Sequence, residues 1–147
     1  MPPAIATPLE QLSRFVVKDG VSLGLLSEAE RRLALAWVWA GLPASETMSE
    51  PGINQVLKAQ LAGPVACLHI DHVELRRWLV DGGWLQRDGY GREYRRAPAP
   101  AAHAGLAAVL NGLDTAAWTA ERRLAFEAGR SARRQRWEEQ QAGIKAA

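Results

Sequence analysis

The side chains that could hold a metal or act as a nucleophile lie close together in one segment of the chain. Cys67 lies two residues before His69-Ile70-Asp71-His72, and thiolate, imidazole and carboxylate are the groups that transition metals bind in proteins. Asp71, however, stands where a helix N-cap is expected, and Cys67 has no basic residue nearby to favour its reactive thiolate. No phosphate-binding glycine loop and no Ser-His-Asp order accompanies them. We therefore expect no metal site, no cofactor and no enzymatic activity.

Arginine is the other residue type whose spacing suggests chemistry, namely the binding of phosphate groups. Arg87 precedes the turn Asp88-Gly89-Tyr90-Gly91, and Arg92, Arg95 and Arg96 follow it. An arginine-rich hairpin of this kind can lie along the phosphates of double-stranded DNA or enter its minor groove. The same charges would also protect an exposed edge strand from pairing with another chain. Both interpretations stay open at this point.

A denser group of arginines lies near the C-terminus. Six fall within 15 residues that contain a single acid, Glu127: Arg122, Arg123, Arg130, Arg133, Arg134 and Arg136. A possible secondary basic arm would use Arg130, Arg133 and Arg134 on phosphates. The segment could also be a helix that docks on the body or on a second chain, or a solvated tail. Trp118 and Trp137 favour docking, because an electrostatic arm has no need of tryptophan.

Capping residues predict where the helices that position these arginines begin. Pro8 is typical of a first turn, and Ser27 with Glu30 makes a capping box. Ser49 and Asp71 are the N-caps expected for the next two helices, each of which ends at a glycine. Two short runs then flank the turn and predict a β-hairpin, and Asp114 or Thr115 can cap a final helix. The hairpin runs are Trp84–Arg87 and Arg92–Arg96.

This order of elements predicts the fold class and the domains. Three helices and a hairpin, preceded by one extra helix, indicate a mainly α fold of the winged helix-turn-helix type (α+β), in which helices are followed by a two-stranded wing and a C-terminal helix. We expect a winged-helix-like domain over 8–96, a Pro/Ala linker over 97–112 and a basic C-terminal helix over 113–147. Four tryptophans should supply much of the shared core: Trp37, Trp39, Trp78 and Trp84.

Length and composition limit the possible classes of protein. A chain of 147 residues with 48% hydrophobic residues fits one domain with tails, and a net charge of +2 does not dictate a partner. A single cysteine excludes an internal disulfide framework. No apolar run is long enough for a signal peptide or a membrane span, so a cytoplasmic protein without membrane contact is the expectation.

Two stretches resemble one bacterial family. Met48-Ser49-Glu50-Pro51-Gly52-Ile53-Asn54-Gln55-Val56-Leu57 resembles the pattern Tyr-Thr-Glu-x-x-Val-Asn-x-x-Leu. Asp71-His72-Val73-Glu74-Leu75-Arg76-Arg77-Trp78-Leu79-Val80-Asp81 matches the core Asp-x-x-x-Leu-Arg-Arg-x-Leu-Val-Asp. The family is domain of unknown function 2087, and the resemblance covers roughly residues 10–96. It implies a winged-helix-like fold and an association with transcriptional regulation.

The helix that starts at Asp71 carries the residues whose roles differ most between interpretations. Arg76 flanks its apolar side and can reach Glu50 on the preceding helix, so we predict that Glu50 and Arg76 form a structural pair. Arg77 lies on the opposite arc with Glu74 and Asp81. It either approaches a DNA groove or forms a surface ion pair with Asp81.

Two functions follow from these patterns. The first is a DNA-binding transcriptional regulator, with Arg87, Arg92, Arg95 and Arg96 on phosphates and Arg77 near the groove. It would act as a homodimer, because two half-sites raise affinity. The alternative is a protein-interaction or dimerisation module on the same scaffold without nucleic acid. The mixed charge around Arg77 favours that alternative.

Overall fold

A computed structural model describes residues 7–90 and 92–146. Within these ranges there are six α-helices: α1 Pro8–Phe15, α2 Glu28–Ala40, α3 Glu50–Ala62, α4 His72–Asp81, α5 Ala104–Leu110 and α6 Thr115–Ala146. The strands of these ranges are β1 Thr47–Ser49, β2 Leu85–Arg87 and β3 Glu93–Arg96. Short 3₁₀ turns occupy Leu23–Leu25 and Ala101–His103. The predicted mainly helical fold with a C-terminal helix is confirmed.

Side-chain caps explain where the helices of the body begin. The predicted capping box of α2 is present, with Ser27 and Glu30 bonded to each other's backbone N–H groups, and Thr7 with Glu10 forms a second box at α1. At α4 the Asp71 carboxylate accepts the Glu74 N–H at 2.8 Å. These bonds satisfy N–H groups that have no partner inside the helix, so the local sequence determines each start.

The sheet has three strands, which corrects the two-stranded wing predicted from sequence. The strands are antiparallel in the order β1-β3-β2, with Met48 opposite Tyr94 and Tyr94 opposite Arg87. β1 was not predicted from the sequence, because it has only three residues and pairs with a strand that is distant in sequence. Side chains alternate between the faces, so Met48, Tyr94 and Leu85 pack against the helices, while Arg95 lies on the other face.

The predicted tryptophan core is largely present. Trp37, Trp39 and Trp84 are buried, and the rings of Trp39 and Trp84 lie 5.8 Å apart. Trp78 is half-buried, with the Arg31 guanidinium 4.9 Å from its ring centre. The aromatic rings therefore join α2, α4 and β2 into one core.

The segment expected to be a linker contains a helix that belongs to this core. Trp39 Nε1 donates to the Ala97 carbonyl at 2.9 Å, and His103 stacks on Trp84 at 5.3 Å. Ala107 and Leu110 of α5 are buried, and α5 packs on α2. Pro98 and Pro100 follow β3, but the chain after them forms a helix whose buried side chains pack on the body.

Helix α6 joins the body through its first turns and then leaves it. Trp118 meets Trp37 edge-on at 5.0 Å, Thr119 is buried, and the Arg123 guanidinium donates to the Val16 carbonyl at 3.1 Å. With 32 residues, α6 is about 48 Å long, and most of its length beyond Arg123 is exposed. Within the described ranges, none of the helices has both the length and the apolar sequence that a membrane crossing requires.

Candidate functional site

Helix α4 and strand β2 bring three of the singled-out arginines together. Arg76 and Arg77 of α4 and Arg87 of β2 line a cleft of about 310 Å³ beside Tyr94 and Asp81. Arg87 reaches this side because it pairs with Tyr94 across the sheet, and paired residues project from the same face. The site therefore depends on the register of the sheet, which places β2 against the exposed side of α4.

Arg76 anchors α4 to α3. Its Nη1 donates to Asn54 Oδ1 at 2.6 Å and lies 3.4 Å from Glu50 Oε1, and its guanidinium lies 5.3 Å from the Tyr94 ring centre. The structure thus brings the predicted Glu50–Arg76 pair together. Because the Glu50 side chain is 51% exposed, the shorter bond to half-buried Asn54 is the stronger link.

Arg77 and Arg87 are free to bind a ligand. Among the described residues, neither guanidinium makes a hydrogen bond or an ion pair, and both side chains are exposed. The Arg77–Asp81 pair considered from the sequence is therefore not formed, although both residues line the cleft. Two cations without protein partners beside one carboxylate leave the cleft able to accept an anionic group.

The tip of the hairpin adds one cation and one aromatic ring. The Asp88 carboxylate accepts the Arg92 N–H at 2.8 Å and the Glu93 N–H at 3.2 Å, which ties Asp88 to the start of β3. Arg92 is exposed, and Tyr90 is 86% exposed. The loop therefore presents Arg92 and Tyr90 to solvent, with Glu93 beside them.

Arg95 and Arg96 lie apart from the cleft. Arg95 is on the opposite face of the sheet, where its Nε donates to Gln86 Oε1 at 2.7 Å. Arg96 packs at 3.8 Å on the Trp39 ring, and its Nη2 donates to Asn111 Oδ1 at 2.6 Å. Burial lowers the pKa of Arg96 from its ordinary value. The five arginines singled out for nucleic acid thus do not form one surface.

The arginines near the C-terminus also divide into a group that contacts the protein and a group that is exposed. Arg123 at the base of α6 packs on the body, and Arg122 Nη2 lies 2.7 Å from Glu121 Oε1. Arg130, Arg133 and Arg134 lie on the part of α6 that has left the body, and all three are exposed. The second group is the one that is fully accessible to a partner.

The segment with metal-binding residue types serves the fold. Asp71 caps α4, His69 is exposed, and Cys67 is buried between α3 and α4 in the chain. Burial raises the pKa of the Cys67 thiol to about 11, against a smaller opposing effect of the Arg123 charge. No group of three or more metal-binding side chains occurs in the described part of the chain.

Two residues that hold the singled-out arginines were missed from sequence. Asn54 holds Arg76, and Asn111 holds Arg96, in both cases through the side-chain oxygen at 2.6 Å. A signal existed for Asn54, which stands in the Asn position of the family pattern. Asn111 follows α5, which was itself not predicted, so no local signal pointed to it.

The comparisons with known proteins concern the same segment. Residues 26–96, just under half of the chain, match the model of the family described as "Uncharacterized protein conserved in bacteria (DUF2087)". The match includes α2 to α4 and the sheet but begins after α1, so it is shorter than the stretch expected from sequence. No curated protein and no solved structure matches the chain. Residues 26–96 of the chain are therefore similar to the DUF2087 family.

Proposed function

We propose that the chain is a DNA-binding transcriptional regulator of the winged-helix type. The order α2-β1-α3-α4-β2-β3 and the strand order β1-β3-β2 are compatible with a winged helix and support this proposal. In such a domain α3 and α4 form the helix-turn-helix pair, and the loop between β2 and β3 is the wing. The family resemblance points to the same class.

The observation that carries this proposal is the unpartnered state of Arg77 and Arg87 on the two sides of one cleft. Arginine binds phosphate with two parallel hydrogen bonds, and unpaired guanidinium groups can do so without first breaking a protein contact. Arg77 would face the groove from α4, and Arg87 would contact the adjoining backbone. Arg92 would add a phosphate contact at the wing tip.

The other arginines have different roles in this proposal. Arg76 is a positioning residue, because its bonds to Asn54 and Glu50 set how α4 lies on α3. Half-buried Arg96 packs on Trp39 and donates to Asn111, so its guanidinium already has protein partners and is not part of the proposed interface. Arg95 remains exposed but faces away from α4. The proposed interface is therefore Arg77, Arg87 and Arg92.

A titration of fluorescently labelled duplex DNA tests this function by anisotropy. We expect Arg87→Ala to weaken binding about tenfold at low salt, because a charge-assisted hydrogen bond contributes roughly 1.5 kcal/mol. Arg95→Ala is the matched control, since Arg95 lies in the same sheet on the opposite face. Equal losses in the two variants would contradict the proposed interface.

A second candidate function is a protein-interaction or dimerisation module without nucleic acid. Acidic residues interrupt the basic surface, because exposed Glu74 and Asp81 lie on α4 with Arg77, and exposed Glu93 directly follows Arg92. Phosphates would meet these carboxylates at a cost. The exposed apolar residues of α6 favour this candidate independently. Absence of DNA binding at low salt would leave it as the better supported function.

A further inference from the structure

The outer part of α6 carries large apolar side chains that remain exposed, although the Arg130 guanidinium lies 5.9 Å from the Phe126 ring centre. Phe126, Trp137 and Ile144 are 39%, 61% and 67% exposed, on a helix that has already left the body. At 100° per residue these three side chains lie within about 20° of one another around the helix. Buried Thr115 and Thr119, which face the body, lie on the same side. The side that packs on the body therefore continues outward as an exposed stripe.

The stripe has the spacing of a coiled-coil seam. Its positions alternate by four and three residues: Phe126, Arg130, Arg133, Trp137, Gln140 and Ile144. Three of the six are apolar, two are arginines and one is glutamine. A partner helix must therefore offer apolar groups at the ends of the stripe and accept arginine in its middle.

We propose that this stripe pairs with the same stripe of a second copy of the chain, with the two helices antiparallel. An antiparallel pair centred on residue 135 places Phe126 opposite Ile144 of the second copy. It also places Arg133 opposite Trp137 and Arg130 opposite Gln140. The end layers are then apolar, and each Arg133 guanidinium meets an indole ring, which is a favourable cation–π arrangement. Each residue of the stripe thus meets a compatible residue of the second copy when the two helices run in opposite directions.

A parallel pair does not have this property. It would set Arg130 against Arg130 and Arg133 against Arg133 in adjacent layers of the seam, where like charges repel in a partly dry environment. In the antiparallel pair the electrostatic repulsion is smaller and lies at the edges of the seam. There Arg134 faces Arg134 of the second copy, and Arg136 faces Arg136 of the second copy. Glu138 and Glu139 lie on the outer side of the helix and do not neutralise them. These exposed edge charges are screened by salt.

This helix pairing would form the dimer of the second candidate function, on which it rests. It does not require DNA binding. Sedimentation equilibrium of the full chain without DNA measures it directly. We expect a monomer–dimer equilibrium that Trp137→Ala weakens by about tenfold or more, as expected for a buried interfacial tryptophan. Leu124→Ala is the control, because exposed Leu124 lies on the opposite side of α6 and should leave the equilibrium unchanged.

Two further measurements separate self-pairing from other occupants of the stripe. Raising the salt concentration should strengthen the dimer, and so should Arg134→Gln combined with Arg136→Gln, because both reduce the repulsion across the axis. Neither gain can arise from misfolding. A chain that stays monomeric at all concentrations, or a dimer that salt weakens, would overturn the proposal. DNA binding by the body would be tested separately by the anisotropy titration.

Discussion

Replacement of Leu110 by alanine tests whether the segment after the sheet is part of the folded body. Leu110 ends α5 and is fully buried, and α5 packs on α2. Leu→Ala at such sites reduces the free energy of unfolding by about 2–5 kcal/mol, through lost apolar contact and the cavity left behind. We expect about 3 kcal/mol here, a large part of the roughly 5–15 kcal/mol that stabilises a typical domain.

Urea unfolding followed by tryptophan fluorescence and far-UV circular dichroism measures this loss. With a denaturant slope of about 2 kcal/mol per molar, the midpoint should fall by about 1.5 M. Leu124→Ala is the matched control: the same substitution at a side chain that is 67% exposed should change stability by less than about 0.5 kcal/mol. Equal midpoints for the two variants would refute the packing of α5 on the body.

Two other substitutions probe the site and the core. Arg76→Ala should lower the free energy of unfolding by about 2 kcal/mol, because it leaves Asn54 and Glu50 without their cation, whereas half-exposed Glu50→Ala should cost less than about 1 kcal/mol. Thermal melts compare the two, and equal losses would contradict the dominant role of Asn54. Burial raises the pKa of Cys67 from the ordinary 9.0 to about 11, so the unfolded chain loses the proton first. Stability should therefore fall as the pH rises from 9 to 11, and Cys67→Ala should flatten that fall in urea titrations; an unchanged slope would count against the burial effect.

Local signals explain what could be predicted from the sequence. Three helix starts are encoded within one turn of sequence, because a capping side chain accepts a backbone N–H three residues later. The capping residues are Ser27, Ser49 and Asp71. The hairpin was likewise visible from its turn. The placement of α2, α3, α4 and β3 needed no knowledge of the tertiary structure.

Long-range contacts explain which features could not be predicted from the sequence. β1 has three residues and becomes a strand only because β3 lies beside it. α5 was hidden behind Pro98 and Pro100, and its stability comes from packing on α2 rather than from its own seven residues. The positions of the arginines also depend on tertiary contacts. Whether Arg87 faces the cleft while Arg96 packs on Trp39 depends on sheet register and on a ring 57 positions earlier in the chain.

The salt dependence of DNA binding tests the central proposal most directly. The logarithm of the association constant should fall linearly with the logarithm of salt concentration, with a slope of about −0.9 for each phosphate neutralised. Replacing Arg77 and Arg87 together by alanine should flatten that slope by about 1, the contribution of the Arg87 phosphate contact, while the thermal melt stays unchanged. Failure to bind duplex DNA at about 50 mM salt, or an unchanged slope in the double variant, would contradict phosphate binding at the α4–β2 cleft.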